Sequence, residues 1–182
     1  MPNTTLKSTR INLRLIEQSD LNSIHELHSL AETDEFNALG IPADIAETKS
    51  IIEGWIAENK RNEINDYTFA IELNQDKRFI GLLGLKLGSE KYSRGEIWFK
   101  IHLESWGNGF ATEAVNLSLD FGFNTLKLHR IQAGCAVDNI ASIKVLEKVG
   151  MIREGRGRQL LPFKNGWSDN FEYSILETDK RN

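Results

Sequence analysis

Cysteine is almost missing from this chain: of 182 residues only Cys135 carries a thiol. A lone cysteine closes no internal disulfide and builds no thiolate metal framework, so nothing in the sequence calls for an oxidising compartment or a structural metal. Proline is scarce as well, at 3 residues, which excludes collagen-like and proline-rich linker chains. Positive charge is also short: 22 Lys and Arg face 26 Asp and Glu, a formal charge of -4. Domains that grip a phosphate backbone usually carry a basic surplus, so nucleic acid is not an expected partner. No stretch approaches the ~18 uncharged apolar residues of a membrane span, and residues 1–10 hold no apolar targeting run. The expectation is a soluble, cytoplasmic protein that engages no membrane. What the chain does have is globular composition, 40% hydrophobic and 26% charged, at a length that suits one domain over residues 1–182, since domains run roughly 100 to 200 residues.

Periodicity supplies the elements. Residues 10–16 alternate apolar and polar as a half-buried strand does. Ser19-Asp20 offers an N-cap before Leu21, Ile24, Leu27, His28 and Leu30, spaced for one helical face. After Gly40 and Pro42 a second helix is expected over 45–63, with Ile51, Ile52, Trp55 and Ile56 on its apolar side. Two β-type runs, 67–73 and 79–87, flank the turn Asn74-Gln75-Asp76-Lys77 and predict an antiparallel hairpin. A third strand, 96–103, follows Ser93-Arg94-Gly95. Residues 109–126 carry the clearest helical stripe, Phe110, Ala114, Leu117 and Phe121. A buried strand over 129–137 leads to a helix capped by Asn139 and stopped by Gly150, and two strands, 151–158 and 171–176, finish the chain. No repeat, low-complexity tract or linker interrupts this order.

The segment Trp106-Gly107-Asn108-Gly109-Phe110-Ala111-Thr112 joins a strand to the best helix. Its glycines permit a sharp turn and a close ligand approach. The unpaired N–H groups of the first helical turn, at the positive end of the helix dipole, then suit an anion such as a pyrophosphate without any lysine. A tight turn with a plain helix cap would use the same glycines. A dinucleotide fingerprint fits poorly, because Thr112 stands where its third glycine is needed, and no Gly-x4-Gly-Lys-Ser/Thr phosphate loop occurs.

Four segments together resemble the GNAT superfamily of N-acetyltransferases: Glu96-Ile97-Trp98-Phe99, then Glu104 through Ala114, then Val137-Asp138-Asn139-Ile140-Ala141-Ser142, then Leu146-Glu147-Lys148-Val149-Gly150-Met151. Within it the chain is most similar to the Rim-type branch, which acetylates N-termini of ribosomal proteins; Ser8-Thr9-Arg10-Ile11-Asn12-Leu13-Arg14 matches the start of that branch. The resemblance implies an α+β, acyl-CoA N-acyltransferase fold: a mixed, partly splayed sheet of about seven strands flanked by about four helices. It implies acetyl-CoA as co-substrate, bound in the gap between strands 96–103 and 129–137. The pyrophosphate would lie on Trp106, Gly107, Asn108, Gly109, Phe110, Ala111 and Thr112. A β-bulge near Ile101, His102 and Leu103 would free a backbone N–H for the thioester carbonyl, and Asn139 would touch the cofactor unless it is only an N-cap. The family also admits a homodimer.

Transfer of acetyl to an amine needs a neutral amine, a stabilised oxyanion and a proton for the departing thiolate. An α-amine of pKa about 8 meets the first need more readily than a lysine near 10.4. Candidate bases are Glu104 and His102, with Glu96 further back; Glu104 also reads as a solvated loop carboxylate, and His102 as a structural strand histidine. The Rim-type glutamate falls where Leu103 stands, and the tyrosine acid of the wider family falls at Leu146. The Rim-type serine matches Ser142, which becomes the candidate acid, beside its reading as a helix-terminal serine. Cys135 reads as a buried strand residue, and His25 and His28 as packing residues with no third metal ligand. Trp98 and Trp106 are the tryptophans placed to line a channel.

The expected acceptor is therefore a primary amine, a protein or peptide N-terminus ahead of a polyamine or other small amine. A binding protein that senses CoA without chemistry is the alternative of another class. Residues 1–66 hold 12 acidic and 6 basic side chains. That balance would favour a cationic amine on their side of the fold, if it is more than solvated helix surface.

Overall fold

The computed structural model describes residues 4–37 and 39–181. One eight-stranded sheet runs in the order β1-β2-β3-β4-β5-β6-β8-β7, with β1 at Thr5–Lys7, β2 at Ile11–Leu15, β3 at Asp66–Leu73, β4 at Phe79–Leu87, β5 at Arg94–Ile101, β6 at Arg130–Ala136, β7 at Ile152–Phe163 and β8 at Gly166–Leu176. Five α-helices flank it: α1 at Leu21–Ser29, α2 at Ala31–Asp34, α3 at Ile45–Asn59, α4 at Phe110–Asp120 and α5 at Ile140–Lys148. The α+β architecture expected from the sequence, a mixed open sheet flanked by helices, is present. The strand and the helix beyond the expected seven and four are β1 and α2, which are too short to show a period. No helix among the described residues is long and apolar enough to cross a membrane.

Strand alternation divides the core into two layers. Ile97 and Ile101 of β5 pack with α4 and α5 in the larger cluster, while Trp98 joins Ala70, Leu82 and the α1 and α3 residues Ile24, Leu27, Ile52 and Ile56 in the smaller. Glycine makes the second layer possible: a Cβ on Gly84 would lie 2.0 Å from the Trp98 indole. Trp98 therefore lies across β4 and meets Trp55 of α3 with ring centroids 5.8 Å apart. α3 stops at Asn59, short of 63, because that side chain turns to the sheet: its Nδ2 donates to the Thr68 carbonyl at 2.9 Å and its Oδ1 accepts from the Thr68 N–H at 3.1 Å.

The functional feature of the sheet is its one parallel junction. β5 and β6 pair only at Arg94↔Arg130, Gly95↔Ile131 and Glu96↔Gln132, then separate. On the other edge β5 stays in regular register with β4 from Leu87↔Gly95 to Gly81↔Ile101, and the His102 N–H continues the ladder to the Ile80 carbonyl at 2.8 Å. The bulge expected near Ile101 to Leu103 is therefore absent. Divergence alone frees the backbone groups: since His102 donates to β4, alternation turns the N–H groups of Phe99 and Ile101 toward β6.

Three other local expectations change. Asp20 does not cap α1 through its side chain. It accepts from the Glu17 N–H at 2.8 Å and takes two 2.7 Å bonds from Arg14, a charge-assisted pairing that outcompetes the helix end. The α4 stripe continues past Asp120 as a π turn over Phe121–Thr125, closed by Leu126 N–H to the Phe121 carbonyl at 3.0 Å. A Cβ on Gly122 would lie 2.6 Å from Ile131, so the glycine lets this wide turn sit against β6. β7 and β8 also reach further than 151–158 and 171–176, forming a long hairpin whose β7 arm is mostly exposed and whose register shift between Gly157 and Leu161 hides its alternation.

Candidate active site

Where β5 and β6 part, a cleft of about 1270 Å³ passes through the sheet from the α4 and α5 side to the α1 to α3 side. On the first side it is lined by Gly107, Gly109, Phe110, Ala111 and Thr112. Gly107 and Gly109 have φ of +74° and +79°, the left-handed region where a Cβ is strained. Gly109 is the N-cap of α4 and offers no side-chain bond, and the first intrahelical bond is Glu113 N–H to the Gly109 carbonyl at 3.1 Å. The N–H groups of Phe110, Ala111 and Thr112 thus lack intrahelical acceptors and line the cleft. Beside them the Ser105 hydroxyl is buried with no partner among the described residues. An open helix terminus, two left-handed glycines and an orphaned hydroxyl together fit a phosphate-bearing ligand.

The loop is braced from the chain's N-terminal segment. Arg10 donates to the Glu113 carboxylate at 2.7 Å and to the Asn108 carbonyl at 2.9 Å, and lies over the Phe110 ring at 4.8 Å. Ser8 Oγ donates to Glu113 at 2.5 Å. Burial would raise the Glu113 carboxyl, yet these bonds from Ser8 and Arg10 outweigh it and hold the group below the usual carboxylate range. The Trp106 indole N–H donates to the Ile101 carbonyl at 2.7 Å, fixing the loop to the end of β5. Asn108 directs its amide to the Ser105 and Trp106 carbonyls and does not line the cleft, so its part is to shape the turn.

Of the residues named from the sequence, Ile101, Trp106, Asn139 and Ser142 also line the cleft. Asn139 caps α5, its Oδ1 accepting from the Ser142 N–H at 3.1 Å. The Ser142 hydroxyl makes no hydrogen bond within the described residues and stands at the cleft wall. Leu146, one turn further along α5, is buried and also lines the cleft. Cys135 also lines the cleft, but burial, with Glu147 adding, pushes its thiol up to about 11, so it carries no thiolate at neutral pH.

His102, Leu103 and Glu104 do not line the cleft. His102 shares the parity of Trp98 and Lys100, so its ring lies on the α1 face, 3.8 Å from Glu26, and its Nδ1 accepts from the Glu104 N–H at 3.4 Å. Leu103 and Glu104 belong to a short 3-10 turn after β5, with the Glu104 side chain 72% exposed beside Arg78. The strand ends two residues earlier than expected, and the loss of alternation there carries both residues away from the gap. Of the candidate bases only Glu96 lines the cleft.

The second side of the cleft holds Glu96 and His28 beside groups that sequence reasoning passed over, Lys86 and Lys100 foremost. β3, β4 and β5 align Asp66, Lys86 and Glu96 in one cross-strand row and Ala70, Leu82 and Lys100 in another. His28 from α1 and Glu32 and Glu35 from the α2 region complete this wall, so the acidic N-terminal third does border the cleft, with Lys86 and Lys100 among its carboxylates. Burial lowers the Lys100 amine to about 8, with Asp34 acting the other way. Burial, helped by Lys100 and His25, lowers the His28 imidazole to about 4. Neither Lys100 Nζ nor His28 Nε2 has a partner among the described residues. His25 instead bonds Thr48 at 2.8 Å, tying α1 to α3. A lysine on the same parity as Glu96 and Trp98, between the apolar Phe99 and Ile101, was the available signal for Lys100.

Comparison with known proteins agrees with this geometry. The model of the acetyltransferase (GNAT) domain matches residues 10–152. The N-acetyltransferase YoaA of Bacillus subtilis, itself uncharacterized, is 33% identical over 175 residues, covering 94% of this chain and 96% of that protein. A GNAT-family acetyltransferase structure from Bacillus anthracis superimposes with a TM-score of 0.85 at 27% identity, over 97% of this chain and 100% of that one. Spermidine N-acetyltransferase from Vibrio cholerae, solved with CoA and spermine, superimposes with a TM-score of 0.83 at 26% identity, over 94% of this chain and 98% of that one.

Proposed function

Since the chain belongs to the GNAT acetyltransferase family and is an acetyl-CoA-dependent N-acetyltransferase, we propose that it acetylates the α-amine of a peptide or protein N-terminus, as the Rim-type branch does. The observation that carries this reading is the pairing of Ser142 and Leu146: an unbonded hydroxyl lines the cleft at the first turn of α5, and one turn further along a buried leucine stands where the resemblance would put the wider family's tyrosine.

The chain's own residues then divide the work. The open N–H groups at the start of α4 and the Ser105 hydroxyl hold the pyrophosphate. The N–H groups of Phe99 and Ile101, turned toward the gap, meet the thioester oxygen as negative charge grows on it. The amine enters from the α1 to α3 side, its nitrogen bonds the carbonyl carbon, and the carbon–sulfur bond breaks. The surplus ammonium proton passes to Glu96, directly or through water, and the Ser142 hydroxyl gives a proton to the leaving sulfur and regains one from solvent. Cys135, its thiol pushed up to about 11 by burial, is a poor nucleophile at neutral pH, which supports direct attack in a ternary complex.

A polyamine acceptor is the second reading, favoured by the Glu32 and Glu35 carboxylates at the cleft wall and by likeness to spermidine acetyltransferases. Mass spectrometry on a lysine-containing peptide incubated with acetyl-CoA separates the two. Acetyl on the α-nitrogen is the expected product; an unmodified peptide beside acetylated spermidine would overturn the N-terminal reading.

A further inference from the structure

Of the two lysines that line the acceptor side of the cleft, Lys100 is the less exposed and makes no ion pair among the described residues. Lys100 projects from the face of β5 that carries Trp98, and its cross-strand neighbours Leu82 and Ala70 are fully buried apolar residues. Its Nζ is closed to solvent and makes no hydrogen bond among the described residues. Asp34 acts on it only through space. Close by in charge terms, the buried His28 likewise leaves its Nε2 without a partner, and both residues line the cleft. A buried, unpaired ammonium is costly, and an anionic ligand removes that cost. The phosphates of the co-substrate cannot be that anion, because their loop lies on the opposite side of the sheet with Ile97 and Ile101, whereas Lys100 shares the side on which the amine arrives.

We propose that Lys100, assisted by the His28 imidazole, is a specificity residue that binds a carboxylate of the acceptor, a few bonds from the amine that is acetylated. This rests on the N-acetyltransferase reading and deepens it: the preferred acceptor is an acidic amine, either a peptide beginning with Asp or Glu or a free acidic amino acid. A polyamine, cationic along its length, is disfavoured by the same ammonium. Lysine suits the task because it presents a compact charge on a flexible stem that a short acidic group can reach.

The test measures kcat/KM at saturating acetyl-CoA for peptides that begin with Asp or Asn and are otherwise identical, and for free aspartate and its diamide asparaginamide, which has no carboxylate, in wild type, Lys100→Met and Lys100→Arg. Thermal melting shows that each variant is folded. A charge-assisted bond predicts a preference of at least about tenfold for the acid over its amide, expressed in KM, absent in Lys100→Met and partly restored in Lys100→Arg. A ratio near one in wild type, or an equal ratio in wild type and Lys100→Met, would overturn the role of Lys100. Peptide turnover without acid preference would reject that role and leave the N-terminal acceptor standing. Acid-selective turnover of amino acids alone would uphold Lys100 and reject the N-terminal acceptor.

Discussion

Ser142 shows how much a single residue's role depends on what surrounds it. At the start of a helix a serine commonly bonds nearby backbone, yet here Asn139 already accepts from the Ser142 N–H and leaves the hydroxyl free at the cleft wall. Because the leaving thiol needs only modest help, Ser142→Ala is expected to lower kcat about tenfold or more while the CoA dissociation constant stays put. Unchanged kcat in steady-state assays would place the acid elsewhere. Lys100 and His102 teach the complementary lesson. Both lie on one parity of β5, but the lysine sits over apolar neighbours inside the strand and the histidine lies past its end against Glu26. Sequence spacing gave them the same face and could not give the strand's end, which decides the rest.

At the scale of elements, the glycine loop and α4 act as one unit. The glycine turn and the open helix start were legible in the sequence because everything they need is local: a strand end, two glycines and the first turn of an amphipathic helix. What was not legible is the brace from Ser8 and Arg10, about a hundred residues away in sequence yet bonded to Glu113. Gly107→Val tests the unit. No protein atom lies within 4 Å of the added Cβ, but φ is +74°, so the substitution acts by straining the loop, at a cost of about 1–3 kcal/mol. The expected outcome is weakened CoA binding by calorimetry in a protein that still folds; native affinity would contradict the phosphate-cradle argument. The π turn after α4 and the missing bulge in β5 belong to the same scale. Each depends on a neighbouring strand, Ile131 of β6 in one case and the regular β4 ladder in the other, and neither leaves a mark on local periodicity.

For the whole molecule, the cleft exists because a sheet pairs in parallel at one end and opens at the other, which couples stability to function. The groups that face the opening are under-solvated, and the fold carries their cost. The His28 imidazole is lowered from 6.5 to about 4, so between those values the unfolded chain binds a proton that the folded chain does not. Stability should therefore fall as pH is lowered from 6.5 toward 4. The Lys100 amine, lowered from 10.5 to about 8, has the same sign: stability should rise as pH is raised from 8 to 10.5. Chemical denaturation across both windows checks this, with His28→Gln flattening the acidic limb and Lys100→Met the basic one. Wild-type slopes retained in the variants would show that other groups titrate. Apart from β1 and α2 the order of elements was thus readable from sequence, and the place of the cleft followed from the family resemblance, while the chemistry of the acceptor side, built from cross-strand rows, was in neither.

The most direct test follows free CoA thiol at saturating acetyl-CoA with three additions: a peptide with a free α-amine, the same peptide blocked at that amine, and spermidine. The account predicts that the free peptide accelerates thiol release and the blocked one does not. Acceleration by spermidine alone would contradict the proposed acceptor, and no acceleration by any of the three would leave only a protein that binds CoA without turning it over.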